Sequence, residues 1–373
     1  MAFLQGARTT YENTLDHKET LHNGLDFLNP KKDGIALLKK IGTNGFTVPN
    51  HVFSWTETDL AVRSEAVTLA DGVGTAMTVV DSGIYQVNDL IVIEDEIVRV
   101  DAIADGTTLT IERGYAGTTG AAHTAVGARD MGSADPENAQ APDSQTDVPR
   151  KLFNYVQTFT RAVEMSNDEI GTLSTDGNPL TGNLKRRFIE INRQLGTSLF
   201  YGIASEDSTG KVRTMGGLIN FLISNITAVA GALTIAAVDA LIKDIIDAGG
   251  MPNTIVVGTT QKQKLDALDT QLIRTGKATR VGGGSISTTW QSGVMDDTLE
   301  LIVDHSIRPD ELWILDTNNI QVGHMSHNGV NGAFSVEDAT TPGQDGVKKV
   351  IRGKYSTRVN NEKSHGLLTG LTV

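Results

Sequence analysis

Apolar and polar residues alternate by twos through much of the first half of the chain, and recur by threes and fours later. Around Trp55, the run "HVFSWTETDLAVRSEAV" alternates in the manner of a strand with one buried face. Between Ala66 and Asp130, "AMTVVD", "DLIVIEDEIVRVDAIA" and "TLTIERGYA" repeat that pattern, with "ADGVGT", "QVND" and "ADGTT" as turns. Ile91, Ile93, Val98 and Val100 alternate with polar partners. This predicts a small antiparallel β unit with one wet face, closed by the glycine-rich "RGYAGTTGAAHTAVGA". Residues 132–150 are polar, hold three prolines and read as an extended loop. Then "KLFNYVQTFTRAVEMS" alternates again. Residues 50–65 and 150–166 are expected to pair as one long hairpin with the β unit at its tip.

The period changes at "NLKRRFIEINRQLGTSLFYGI". Leu184, Phe188, Ile191 and Leu195 recur at steps of four, three and four, and Leu199 and Ile203 extend the stripe. The spacing predicts a helix over about 181–204, capped by Thr181. At about 1.5 Å per residue it is a rod of about 30 Å. "AAVDALIKDIIDAGG" predicts a second helix, with Val238, Leu241, Ile242, Ile245 and Ile246 inward and a glycine stop. "TIVVG" reads as a buried strand and "TTQKQKLDAL" as a helix capped by Thr259 or Thr260. "TLELIVDHSIRPDELWILDTNNIQVGHM" reads as three short strands, with "KKVIRGKYSTRVNN" and "HGLLTGLTV" as closing strands. Helices and strands in that order imply an α+β class. Residues 1–50 differ: polar turns separate short apolar pieces, "IALLKKIG" being the longest. They read as an arm that packs on something else.

Charge narrows the functional classes. The chain has 373 residues, with 45 carboxylates against 32 Lys and Arg, a net charge of −13. That balance opposes general affinity for polyanions while permitting a local basic patch. With no cysteine, disulfides, thiolate metal sites and thiol nucleophiles are excluded. The start lacks the long apolar core of a signal peptide. Thr214–Val238 is free of charge, but Asn220, Ser224, Asn225, Thr227 and three glycines interrupt it, so no membrane span is expected.

Candidate chemistry is sparse. "VGGGSIST" (281–288) lacks the lysine of a phosphate-binding loop and reads as a flexible loop. His324 and His327 form an H-x-x-H pair without an obvious third ligand and read as surface-loop histidines. "EDE" (94–96) lacks the spaced oxygens of a calcium loop and reads as a solvated strand face. No G-x-S-x-G elbow is present. The expectation is a protein that is not an enzyme, with no catalytic, metal or cofactor site. Lys185, Arg186, Arg187 and Arg193 remain. They are a solvated face on a core helix, or partners for carboxylates of a neighbouring subunit, or cations facing nucleic acid without reading its sequence.

An extended arm, a long hairpin, a long amphipathic helix and an α+β tail resemble a tailed-phage major capsid protein, the fold first described for phage Hong Kong 97. "FSWTETDL", "KLFNYVQTFTRAVEMS", "LKRRFIEINRQLGTSLFYG" and "RTMGGLINFL" are similar to one family of phage head proteins. So are "NTIVVGTTQKQKLDAL" and "LELIVDHSIRPDELWILDTNNIQVGHM". The resemblance covers nearly all of the chain outside residues 66–130. It implies an N-arm over residues 1–50 that reaches a neighbouring subunit, and an extended loop over 51–166. It further implies a peripheral domain over 167–214 with its spine helix, whose core is Leu184, Phe188, Ile191 and Leu195. An axial domain with returns to the peripheral domain would span 215–340, and 341–373 would close the peripheral domain.

Such proteins assemble as hexamers and pentamers into icosahedral shells around double-stranded DNA, with a portal and scaffolding or cement proteins as further partners. The chain would then reside in the virion after assembly in the host cytoplasm. Lys185, Arg186, Arg187 and Arg193 would contact neighbouring subunits or DNA. Lysine–asparagine crosslinks occur in some members, but no position here aligns with them, so non-covalent assembly is expected. An encapsulin-type compartment shell shares the fold and is one alternative. A virion decoration or surface-binding role, suggested by the β unit, is the other.

Overall fold

A computed structural model describes residues 35–43, 45–58, 64–137, 149–171, 179–268, 289–327 and 330–373. The first 34 residues of the arm, most of the proline-containing loop and the glycine loop at 281–288 lie outside the described residues. The chain divides into two compact units. One is Thr56–Leu152; the other joins the preceding residues to Phe153–Val373.

The larger unit, called the body below, holds two sheets. Gly346–Val359 is the centre of the first. Gln157–Ser166 pairs antiparallel along one side of it, and Ser335–Asp338 and Ile320–His327 follow one another along the other. Phe159 and Val163, spaced by four in Gln157–Ser166, are buried while their neighbours are exposed or half-buried, which is the alternation of a strand with one covered face. The helix Pro179–Tyr201 packs against both Gln157–Ser166 and Gly346–Val359.

In the second sheet the order is Ile226–Gly231, Gly366–Leu371, Leu312–Leu315, Thr254–Val257, Thr298–Val303 and Thr289–Gln291. Its two middle strands are buried at all four positions each, which is why "TIVV" and "LWIL" lack polar alternation. Helix Ile235–Asp247 supplies Val238, Leu241, Ile242 and Ile245 to the same core, and Thr234 Oγ1 accepts the Ala237 N–H at 3.2 Å to start it. Thr259 and Thr260 are not caps. Helix Thr259–Ala267 begins after extended Gly258, without a side-chain cap. Gly366–Leu371 also departs from expectation: it joins this second sheet, because Leu367, Leu368 and Leu371 are all buried and need a core on both faces.

The smaller unit is a closed six-stranded barrel. Going round it, Ser64–Leu69 is followed by Ala76–Thr78, Thr108–Glu112, Glu96–Asp105, Asp89–Ile93 and His123–Ser133, which returns to Ser64–Leu69. The expected small antiparallel unit with one wet face is thus closed on itself, its other face turned inward. Closure follows from the pairing of Ser64–Leu69 with the long strand His123–Ser133, which removes both free edges. Val67, Met77, Ile91, Ile93, Val98 and Leu109, all fully buried, fill the interior.

Val52–Glu57 pairs with Arg150–Tyr155 as a two-stranded sheet. The hairpin is shorter than the alternation suggested, because at Val156 the return strand changes partner and Gln157–Ser166 enters the first sheet. Asn154 fixes that changeover. It is fully buried; its Oδ1 accepts the Gly216 N–H (2.7 Å) and the Tyr155 N–H (2.8 Å). Its Nδ2 donates to the carbonyls of Thr357 (2.7 Å) and Gly216 (3.0 Å). Every hydrogen-bonding position of the amide is occupied.

Residues 1–50 were read as an arm that packs on something else; its described end, from residue 35 on, packs on its own chain. Helix Ala36–Ile41 buries Leu37 and Leu38. The Leu37 N–H donates to Asp304 Oδ2 at 3.1 Å, and Lys40 Nζ reaches Glu300 at 2.7 Å and Thr254 Oγ1 at 2.6 Å. Thr47–Val48 then pairs parallel to His324–Met325. Those histidine positions lie on the strand Ile320–His327, not in a loop, and positions three apart on a strand lie on opposite faces.

Candidate interaction surfaces

Helix Pro179–Tyr201 opens with proline at its first position, where the missing N–H costs nothing. Ile191, Leu195, Leu199 and Phe200 are buried, and Leu184 is half-buried. Phe188 departs from the expected core stripe at 42% exposed, its ring set edge-on to Phe334 at 5.7 Å. The burial thus belongs to the C-terminal half of the helix. Ile203, read as a continuation of the stripe, is 67% exposed, because the helix ends at Tyr201. Gly202 makes that stop: a Cβ there would lie 2.5 Å from the carbonyl oxygens of both Met215 and Ser198. The helix end is held by Glu311. Its buried carboxylate accepts from the Tyr201 hydroxyl and from Trp313 Nε1 at 3.3 Å, while the Arg308 N–H donates to the Tyr201 oxygen at 2.9 Å. Burial and the hydrogen bond to Glu311 push the Tyr201 hydroxyl well above the ordinary range.

The four basic residues surround the exposed half of the helix. Lys185 and Arg187 are exposed; Arg186 and Arg193 are half-buried. Arg187 forks onto both oxygens of Glu190 at 2.7 and 2.8 Å, and Arg161 lies 3.9 Å from the same carboxylate. Arg186 Nη1 donates to Asn183 Oδ1 at 3.5 Å. Lys185, Ile189 and Arg193, at steps of four, share a face. Ile189, 44% exposed, lies between them, while Phe188 points about 100° away and Arg187 about 160° away around the helix.

Residues 64–137 have the opposite charge. They carry thirteen Asp and Glu against three Arg, so ten of the chain's thirteen net negative charges fall there. Ten of those carboxylates are exposed, and Arg129 is the exposed arginine among the described residues of this segment.

One carboxylate of the barrel is buried. Glu96, expected on a solvated strand face, is 1% exposed. It starts the strand Glu96–Asp105 at the same parity as Val98 and Val100, a signal present in the sequence but overlooked. Arg113 Nε and Nη2 donate to its two oxygens at 2.6 and 2.8 Å, and the Ala121 N–H donates at 3.1 Å. His123 bridges Glu96 (3.1 Å) and Glu94 (3.2 Å). Burial pushes the Glu96 carboxyl up, but Arg113, the Ala121 N–H, His123 and the Gly114 N–H outweigh it and hold it down at about 2. Arg113 also donates to the carbonyls of Asp71, Gly74 and Ala121, so the glycine-rich loop is tied down by one guanidinium. The arrangement is saturated and offers no open coordination or nucleophile position; it closes an end of the barrel.

The long helix packed on a mainly antiparallel sheet, a second mixed sheet and an inserted closed barrel are the architecture to be compared with known folds. The chain belongs to the family described as SU10 major capsid protein, whose profile matches residues 4–372. Its fold is that of Hong Kong 97-like phage capsids. It is similar to the capsid of cyanophage A-1(L), at 13% identity and a TM-score of 0.56 over 98% of this chain and 100% of that one. The capsid of a native GTA particle matches at 10% identity and a TM-score of 0.54, over 99% and 100% of the two chains. A chain of Mycobacterium phage Cain matches at 10% and 0.54, over 98% of each. No curated protein sequence matches significantly. The chain is thus a major capsid protein, a structural component of a phage head shell.

Proposed function

We propose that copies of this chain build, as hexamers and pentamers, the icosahedral head of a tailed phage and enclose double-stranded DNA, with a portal and scaffolding or cement proteins as partners. The family match over residues 4–372 carries this reading. The division of labour is physical. The outside of the barrel and the exposed half of the long helix, with Lys185, Arg187 and Phe188, are surfaces that one chain does not need for its own core, and repeated head-to-tail contacts close into rings. No bond is made or broken, so the chain acts as building material and not as an enzyme, in the virion after assembly in the host cytoplasm. Lys185, Arg186, Arg187 and Arg193 serve contacts with neighbours or phosphate, and Ile191 and Leu195 hold the helix that presents them.

Electron microscopy of the full-length chain tests the reading. Closed shells or capsomer rings are expected, and in infected cells those shells protect DNA from nuclease. A species that stays monomeric at high concentration, or shells that contain a cargo enzyme and no DNA, would refute it.

A further inference from the structure

We propose that residues 36–43 and 45–48 form a bracket that sets the angle between the two sheets of the body, with Lys40 and Gly323 as positioning residues for assembly. This deepens the self-assembly reading above and rests on it. The chain crosses between the sheets at 316–319 and again at 360–365. The crossings lie side by side: the Asn360 N–H donates to the Asn319 carbonyl at 2.9 Å, and the Asp316 N–H to His365 Nδ1 at 3.3 Å. Together they make one line about which the sheets can turn. The helix Pro179–Tyr201 adds one tie across it, where Tyr201 reaches Glu311, and the bracket adds another.

One leg of the bracket is on the second sheet, where Leu37 meets Asp304 and Lys40 meets Glu300 and Thr254. The other leg is on the first sheet. There the Gly45 N–H donates to the Val322 carbonyl at 2.9 Å, the His324 N–H donates to the Phe46 carbonyl at 3.2 Å, and Thr47–Val48 pairs with His324–Met325. Helix Ala36–Ile41 also packs against the crossing at Thr317–Asn319. Glu300 is level with Thr254 and Leu315, next to that crossing, and Asp304 lies four residues further out; His324 lies four residues beyond Ile320. At about 3.3 Å per residue, each leg is held about 13 Å from the line of turning, far enough to resist it.

Gly323 makes the leg on the first sheet possible. A Cβ there would lie 2.7 Å from the Phe46 ring and nearer still to its carbonyl oxygen. On the other leg, Lys40 is 27% and Glu300 56% exposed, so their pair contributes little to folding. A contact of small folding value that helps to span two sheets acts on their angle. Rings and shells close only when each head-to-tail contact repeats one rotation. A held angle also removes part of the ordering cost at every contact.

The test uses the full chain. Lys40→Ala loosens the leg on the second sheet and Gly323→Ala the leg on the first, with Phe46→Ala as a second variant there if Gly323→Ala disturbs its own strand. Each is expected to raise the protein concentration needed for assembly about tenfold, and the two together no further, because a bracket loose at one leg already lets the sheets turn. Their shifts in denaturation midpoint should instead be small and add, as for separate sites. The chain has no cysteine, so spin labels at Thr158→Cys and Thr227→Cys, exposed positions on the first and second sheets, report the distance between the sheets. One narrow distribution is expected in the unaltered chain and a broad one after either change.

A distribution that stays narrow after both changes would overturn the proposal. So would assembly of either variant at the ordinary concentration, or losses of assembly that add as the midpoint shifts do. An unaltered chain that never assembles would refute the self-assembly reading itself, a different failure, and its label distances would still decide whether the bracket holds the sheets.

Discussion

In the barrel, net charge is concentrated outside and a carboxylate, a guanidinium and an imidazole are sealed inside. In the body, ion pairs lie across neighbouring strands at the surface, and the buried titratable groups, among them His365, Asp304 and Glu311, are dispersed rather than gathered in one cluster. Lys348 pairs with Glu164 (2.9 Å), Lys349 with Asp338 (2.7 Å) and Arg352 with Glu337 (3.0 Å), all part-exposed. Such pairs contribute little each, and the body stands instead on apolar burial by residues such as Leu241, Ile255 and Ile314. The barrel cannot lose its buried ion pair so cheaply, because one partner left alone is an uncompensated charge in a dry interior. The two units should therefore respond differently to the same kind of insult.

The largest separation is expected from Arg113→Met. Glu96 would lose both guanidinium bonds while staying buried, a cost of about 3–5 kcal/mol. Hydrogen exchange should show residues 64–137 losing protection while Thr254–Val257 and Leu312–Leu315 keep theirs. Adding Glu96→Leu should recover most of the loss, since the stranded charge goes with it. Unchanged protection in the barrel after Arg113→Met would show that this cluster does not close it.

Acid should reverse the order of weakness. His365 is buried, with Nδ1 accepting the Asp316 N–H at 3.3 Å, and burial pushes its imidazole down to about 4. An unfolded histidine takes its proton near 6.5, so this native site loses stability as pH falls from 6.5 towards 4, by up to about 3 kcal/mol. Glu96 is depressed from 4.5 to about 2, so its contribution is intact above 4.5 and is lost between there and 2. At pH 5 the body should be weakened while the barrel is intact. His365→Gln should flatten the body's decline between pH 6.5 and 4; a decline that persists unchanged assigns it to other groups.

Local periodicity explains what could be read beforehand. The spine helix, the helix at Ile235–Asp247 and the strands of the barrel announce themselves because each apolar stripe is continuous in sequence. Closure of the barrel was hidden, since it depends on Ser64–Leu69 meeting His123–Ser133 across some sixty residues. The change of partner at Val156 was hidden for the same reason: alternation states that Gln157–Ser166 is a strand without saying which strand it joins. Glu96 was legible by parity yet read by its charge. Phe188 was read as core from its place in a stripe, but a stripe does not reveal how far along the helix the sheet extends beneath it.

A smaller effect tests the docked end of the arm. Asp304 is buried, accepting the Leu37 N–H at 3.1 Å and the Ser306 N–H at 2.9 Å. Asp304→Asn removes the charge from both bonds and turns one amide donor towards an N–H, a loss of about 1–2 kcal/mol. The expected result is early exchange at Ala36–Ile41 with little change in the second sheet. If that helix keeps its protection, burial of Leu37 and Leu38 suffices to hold it.

The smallest expected effect on folding is at Arg187. Its fork to Glu190 joins side chains 46% and 39% exposed, three residues apart on one helix. Exposed pairs of this kind contribute at most about 0.5–1 kcal/mol, so Arg187→Ala should leave the denaturation midpoint of the isolated chain almost unmoved. The same substitution removes a cation proposed to serve contacts with neighbouring copies or phosphate, so assembly should weaken while folding does not. A melt that drops by several degrees together with assembly would mean that Arg187 works within its own chain. Unmoved folding with weakened assembly would place its role between copies, which is the asymmetry that separates the exposed half of the helix from its buried half at Ile191 and Leu195.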